Sequence, residues 1–234
     1  MMMHWYQESV DFVCLWLEHE RYWHVSRLSA MLRKDSNLFN PKWLEDPSNN
    51  ALAVEYARQD AEVLDGFGKH MVIGYEKDDM THGDLLSWIS VQARAGRRVI
   101  CVDPVTALDT AGGKVFELDR DLVMGSKKIA CRYNCSILFV SHPRGKVIGK
   151  HVDIDDIAGG RAYGKFSQCV IWIRQLTERK PVTLDTPCGI ASSVPINAIW
   201  HVLKVSNGPG ASRGIGFNWV GSELHWKEEG VIQK

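Results

Sequence analysis

Apolar positions along this chain follow two rhythms, a helical one and short unbroken runs, and together they predict an ordered series of elements. Residues 1–6 are apolar or aromatic and stop at Gln7-Glu8-Ser9, which predicts a buried strand with Glu8 at its polar tip. Between 10 and 34 apolar residues return at helical spacing: Phe12, Leu15 and Trp16, then Val25, Leu28, Met31 and Leu32. That predicts one long helix, or two with a break near the aromatic and histidine cluster. Residues 37–50, with Pro41, Pro47 and Ser48-Asn49-Asn50, read as a loop, 51–64 as a helix and 70–75 as a short strand. Thr81 can accept a free amide of a first turn, so it caps a helix that runs to about Ala95 and stops at Gly96. The apolar run 99–102 predicts a strand closing on Asp103. A helix over 117–134 follows, with Gly125 as a point of interruption, and then a strand over 136–140 ending at Ser141-His142. Residues 145–164 are glycine-rich and charged, a long loop; strands are expected at 169–173 and 198–205, and a closing hairpin over 214–226.

Strands alternating with long helices predict an α/β fold, a mostly parallel sheet between helical layers. With no repeat and no low-complexity tract, residues 1–234 read as a single domain. In such sheets the chemistry gathers at the carboxyl ends of strands, which directs attention to Glu8, Asp103 and His142.

Composition narrows the classes. The 234 residues are 45% hydrophobic and 24% charged with zero formal net charge, so nucleic acid would have to be held by a local basic patch. No run of about 18 apolar residues is present to cross a membrane, and residues 1–9 lack the basic and apolar regions of a secretion signal. Cysteines placed inside apolar runs, such as Cys101, fit a reduced, cytoplasmic setting. Cys131 and Cys135 stand four apart with no second ligand pair, which argues against zinc.

Four segments carry chemistry. Arg97-Arg98-Val99-Ile100-Cys101-Val102-Asp103 is a buried strand delivering an aspartate, the Walker B pattern in which a carboxylate helps hold Mg²⁺; an aspartate there can also simply cap the next turn. Ile137-Leu138-Phe139-Val140-Ser141-His142-Pro143-Arg144 ends a strand in Ser-His before a basic loop. Asp155-Asp156-Ile157-Ala158-Gly159-Gly160-Arg161-Ala162 leads through Lys165 into the 169–173 strand. Val202-Leu203-Lys204-Val205-Ser206-Asn207-Gly208-Pro209-Gly210 precedes Gly216-Phe217-Asn218-Trp219. Three other features read as decoys. Gly159 to Lys165 matches the start of a phosphate loop but has Phe166 where Ser or Thr belongs. Gly210 to Gly216 imitates a dinucleotide turn without the half-domain that must follow it. Glu18-His19-Glu20 with His24 reads as a solvated helix face, and Trp16, Tyr22 and Trp23 as core or subunit contact rather than a base-stacking platform.

Taken in order, the four segments resemble the RecA-like ATPase core of the DnaB-like replicative helicase and RepA-like family. The resemblance spans almost the whole chain and implies a three-layer P-loop NTPase core with a C-terminal β-hairpin, incomplete at its N-terminus. It implies a catalytic glutamate at Glu8, a Mg²⁺ aspartate at Asp103, a γ-phosphate sensor at His142, and a DNA-facing segment with Gly159, Gly160, Arg161 and Lys165. Lys204 and Arg213 would face the nucleotide of a neighbouring subunit. The implied cofactors are ATP and Mg²⁺. The implied partners are single-stranded DNA, further copies in a hexameric ring and a primase, in the cytoplasm of a bacterium or a phage-infected cell.

Three departures qualify what is implied. Lys165 stands where the family has Gln, and Ser206 where it often has the arginine that reaches across the subunit boundary. The sequence also holds no G-x-x-x-x-G-K-[ST] loop, whose amides and lysine hold phosphates. Its loss should leave a gap in the sheet. The expected function is therefore an ATP-dependent helicase-type motor domain, inactive until a phosphate loop is supplied. The alternatives are a RecA-fold DNA-binding or loader subunit without hydrolysis, and a RepA- or recombinase-like ATPase.

Overall fold

The structure is a computed structural model that describes residues 2–74, 80–143, 153–158, 161–206 and 214–233, with the backbone alone at 161. The chain forms two compact units, 1–25 with 55–167 and 26–54 with 168–234.

The first unit is built on a four-stranded, all-parallel sheet. It opens with helix α1 (Met2–Gln7), not the strand expected there. Met2, Trp5 and Tyr6 lie at the i, i+3, i+4 spacing of one helix face. Trp5 packs on Phe12, Tyr6 packs edge-on to Phe67, and the Met2 sulfur meets the Cys14 thiol. Strand β1 (Phe12–Trp16) follows, where a helix was expected, and all five residues are buried. The spacing of Phe12, Leu15 and Trp16 fits a helix, but five consecutive apolar residues also fit a strand covered on both faces. Here the sheet decides the conformation: β1 pairs in parallel with two other strands.

Helix α2 (Arg21–Arg33) comes next. The expected loop over 37–50 is instead a 3-10 turn (Ser36–Phe39) capped by the Asp35 carboxylate, a short helix α3 (Pro41–Leu44) capped by Asn40, and helix α4 (Pro47–Gln59). Proline in the first turn of a helix lacks only an amide that would have no partner there anyway, so Pro41 and Pro47 start helices rather than ending them. Helix α5 (Ala61–Gly68) and strand β2 (Met71–Ile73) follow, the latter within the expected 70–75. Helix α6 (His82–Arg94) starts on Thr81 in a reciprocal capping box with Asp84, and Gly96 takes the positive φ that ends it. Strand β3 (Val99–Asp103), helix α7 (Val115–Tyr133) and strand β4 (Ser136–Phe139) agree with expectation. Gly125 does not break α7; a Cβ there would meet the Leu86 side chain, so glycine allows α6 and α7 to lie close. A 3-10 turn (Ile154–Asp156) and helix α8 (Arg161–Phe166) lie where only loop was expected.

The strand order is β2-β1-β3-β4. Val13, Leu15, Ile100 and Val102 pack with Leu85 and Ile89 of α6 and Leu122 and Val123 of α7 on one face. Phe12 turns to the other face, against Trp5 of α1 and Phe67 of α5. The sheet therefore lies between helices. Among the described residues β4 pairs only with β3, so its outer edge carries no strand.

The second unit carries an antiparallel sheet of β5 (Cys169–Thr186), β6 (Gly189–Val205), β7 (Gly214–Val220) and β8 (His225–Ile232). It closes on itself through the pairs Leu184–Ile232 and Asp185–Val231. The last two strands form the expected hairpin. The first two run much longer than 169–173 and 198–205, because an antiparallel hairpin can turn polar residues such as Gln175 and Thr177 to water while alternate positions pack.

The cysteines test this burial directly. Cys14 and Cys101 sit opposite one another on β1 and β3, both buried, and the Cys101 thiol together with burial pushes the Cys14 thiol far above its ordinary value. Cys131, Cys169 and Cys188 are exposed. Only the thiolate reacts. Maleimide added to native protein should modify the three exposed thiols, with Cys14 and Cys101 labelled only after denaturation, as read by peptide mass spectrometry. Native labelling of Cys14 would contradict the β1–β3 pairing.

Candidate functional site

Three adjacent parallel strands end on the same edge of the first unit, and that edge collects its chemistry. Trp16 stands opposite Asp103 in the β1–β3 register, and the Leu17 amide donates to the Asp103 carbonyl at 2.9 Å. Glu18, the next residue, is therefore carried just past the sheet edge beside Asp103. On the other side the Val140 amide donates to the Val102 carbonyl at 2.9 Å, and the Val105 amide donates back to Val140 at 2.8 Å. His142 thus emerges at the same edge. Its Nε2 lies 2.8 Å from Glu18 Oε1. A carboxylate can only accept, so Nε2 carries the proton.

The sequence expectation put the catalytic glutamate at Glu8. The structure places Glu8 after α1, before β1 begins, on the amino edge of the sheet. A five-residue strand spans about 16 Å, so Glu8 lies at the opposite end of β1 from Asp103. The carboxylate that the fold brings to Asp103 is Glu18. Its signal was in the sequence: an apolar run followed by a polar tip, the same pattern that singled out Asp103. Reading 10–34 as helix turned Glu18 into a solvated face.

Asp103 and Glu18 line a cavity of about 200 Å³ with Trp16, His19, Trp23, His24 and Pro104. The aromatic cluster is part of this wall. His19 stacks on Trp23 at 4.0 Å between ring centroids, and Trp16 packs against His24 at 3.9 Å. Burial raises the Asp103 carboxyl above its ordinary value, the charge of Glu18 raises it further, and His142 and His19 pull it back. Among the described residues the basic groups of this partly apolar wall are imidazoles, and its two carboxylates suit a hard divalent cation. Among the described residues no group of three or more His, Cys, Asp or Glu is placed to hold a metal by itself. The donor set fits Mg²⁺, which keeps several waters and takes one or two carboxylates plus substrate oxygens.

The other expected site residues are distributed differently. Lys165 is exposed on α8 in the first unit, and Arg161 begins that helix. Lys204 lies on β6 in the second unit. Gly159, Gly160 and Arg213 fall outside the described residues, as does half of the loop expected over 145–164. Cys131 on α7 and Cys135 just beyond it take part in no metal-binding group among the described residues.

No family model matches the sequence, and no curated protein matches it. The fold is similar to that of a solved DnaB-like replicative helicase, one described together with its interactions with primase. The TM-score is 0.61 at 12% identity over 94% of this chain. The match covers 51% of that helicase chain, so this chain spans about half its length. The protein shares the α/β fold of that structure: a parallel sheet between helices, with antiparallel hairpins later in the chain. No helix among the described residues is long and apolar enough to cross a membrane.

The raised Asp103 carboxyl has a definite consequence for stability. The unfolded chain releases this proton near the ordinary value of 3.8, the folded chain only above it. Stability is unaffected below that value and falls as pH rises through the interval between the two. Asp103→Asn removes that loss. The melting temperature of the variant relative to wild type should therefore climb as pH is raised from below 3.8 to neutrality. A difference independent of pH would show that Asp103 is not held against its ionisation.

Proposed function

We propose that this chain is the hydrolytic part of an ATP-driven motor domain that moves on single-stranded DNA during replication. The observation that supports it best is the meeting of Glu18, Asp103 and His142 at the carboxyl ends of three neighbouring parallel strands. In this reading Asp103 holds Mg²⁺ through its water shell. When bound, the ion neutralises charge developing on the transferred phosphate. Glu18 orients the attacking water and accepts its proton. His142, hydrogen-bonded to Glu18, responds to the terminal phosphate and passes that response to the segment beyond Pro143. The Mg²⁺-ATP phosphates need a cradle of backbone amides, which a G-x-x-x-x-G-K-[ST] segment outside this sequence would have to supply. Among the described residues the outer edge of β4 carries no strand, which suits the arrival of such a segment.

The finer assignments belong to the same proposal. Residues 1–234 act as one functional domain. Gly159, Gly160, Arg161 and Lys165 follow the phosphates of single-stranded DNA. Lys204 and Arg213 serve a nucleotide bound by the neighbouring subunit of a hexameric ring. The setting is the cytoplasm of a bacterium or phage-infected cell, and a primase is a partner. A second reading, a RecA-fold DNA-binding or loader subunit without hydrolysis, is favoured by the missing loop motif and by Ser206 in place of an arginine.

Turnover separates the two. With a phosphate-loop strand and helix fused ahead of residue 1, the protein should hydrolyse ATP with stimulation by single-stranded DNA. Glu18→Gln should lower that rate by roughly 100-fold or more while ATP still binds, and Glu8→Gln should leave it unchanged. Equal rates in wild type and Glu18→Gln would remove Glu18 from the reaction. DNA binding with no hydrolysis in the fused protein would establish the loader-type reading.

A further inference from the structure

Away from the carboxylate edge, the first unit buries a second polar cluster that the proposed reaction does not use. Asp119 of α7 is 3% exposed, yet its Oδ1 accepts from the Tyr163 hydroxyl of α8 at 2.8 Å and lies 3.2 Å from Nε2 of His82 at the start of α6. His82 and Tyr163 are buried with it. Asp119 Oδ2 and His82 Nδ1 are buried without a hydrogen-bond partner. A buried carboxylate with an unsatisfied oxygen opposes folding, and a well-packed apolar group would hold three helices together at lower cost. What a hydrogen bond adds is direction.

Helix α8 needs direction. It has six residues, far fewer than an isolated helix needs to persist in water, so its course depends on what it packs against. Ala162 and Tyr163 are buried, and Tyr163 meets Phe139 of β4 edge-on at 6.3 Å. Gly164 is seated so closely on Ile154 that any side chain at 164 would overlap the isoleucine. Phe166 packs against the core, and the Lys165 ammonium lies over its ring, 5.6 Å from the centroid. Lys165 itself is exposed. The Tyr163–Asp119 bond sets the rotation of α8 about its own axis, and with it the side on which Lys165 emerges.

We infer that Tyr163 is a positioning residue for nucleic-acid binding: its bond to Asp119 latches α8 so that Lys165 is presented to a phosphate of single-stranded DNA. The inference rests on the reading of Lys165 as a phosphate contact. It makes the buried α6–α7–α8 cluster part of the binding apparatus, acting through Lys165 without touching DNA.

The test is a salt titration of binding to a fluorescein-labelled oligothymidylate, followed by anisotropy, for wild type, Lys165→Ala, Tyr163→Phe, the double variant and Asp119→Asn. Each phosphate contact contributes about 0.7 to the slope of log K against log salt for a single strand. Lys165→Ala should lower the slope by about that amount. Tyr163→Phe should lower it equally, and the double variant should match Lys165→Ala. Asp119→Asn keeps an acceptor oxygen for the tyrosine and should keep the wild-type slope. A change that merely loosened the fold would shift melting temperature in both Tyr163→Phe and Asp119→Asn without this split in slope. Loss of slope in Lys165→Ala with a wild-type slope in Tyr163→Phe overturns the latch and leaves the DNA reading standing. An unchanged slope in Lys165→Ala removes the DNA reading, and the latch with it. Hydrogen exchange on the wild-type protein gives a second readout that needs no variant. Amides of α8 should exchange together with those of α7, and α8 exchanging as freely as a frayed terminus overturns the latch.

Discussion

The parallel register of β1 on β3 is the constraint on which the site depends. With Trp16 opposite Asp103, the next turn of chain delivers Glu18 beside that aspartate. A shift by one residue would turn every side chain of β1 to the other face, placing Leu15 and Val13 against α1 and α5 and Phe12 against α6 and α7. Burial on both faces therefore specifies the register, and the register specifies which carboxylate reaches Asp103. The β3–β4 pairing does the same for His142 through the reciprocal bonds of Val140. Chemistry at the edge is a by-product of apolar packing in the middle of the sheet.

That packing also explains the electrostatics of the edge. Asp103 closes a strand whose preceding residues are buried, so it is held half out of water with Glu18 as its nearest like charge. Two imidazoles, those of His142 and His19, moderate the repulsion without cancelling it. Such a pair is poised to bind a cation, and the same poise opposes folding. Functional edges commonly carry this tension, because a group fully satisfied by its own protein has little left to offer a ligand. The Asp119 cluster presents the opposite case: a carboxylate satisfied on one oxygen only, sealed from solvent, whose effect is to orient a short helix rather than to meet a ligand.

The two units handle polar residues in ways that follow from their sheet types. A parallel sheet hides both faces, so polar groups appear at strand ends, and those ends become the candidate site. An antiparallel hairpin keeps one face wet, so β5 carries charged residues along its length, and β6 carries Lys204 near its end, without signalling chemistry. Candidate residues on the strands of the second unit, Lys204 among them, therefore stand out less from their surroundings than Asp103 does from its own.

Much of the first unit was legible in the sequence alone. Thr81 and Gly96 bracket α6 because capping and left-handed termination are local chemistry. The run ending at Asp103 and the run ending at His142 read as strands because neither has a competing helical pattern. Residues 1–16 read wrongly for the converse reason. Phe12 to Trp16 satisfies both periodicities, and Met2 to Tyr6 is too short for either to dominate, so pairing with β2 and β3 decides the first and packing on Phe12 and Phe67 the second. Glu18 was hidden by that ambiguity, and Tyr163 and Asp119 by their separation along the chain, since nothing local marks a tyrosine and an aspartate 44 residues apart as partners. The sequence by itself determined the α/β class, the order of its later strands and two of the three groups at the carboxyl edge, because those rest on short-range pattern. Only the tertiary structure decided which glutamate joins them and how α8 is held, because both depend on contacts between segments that local propensity cannot bring together.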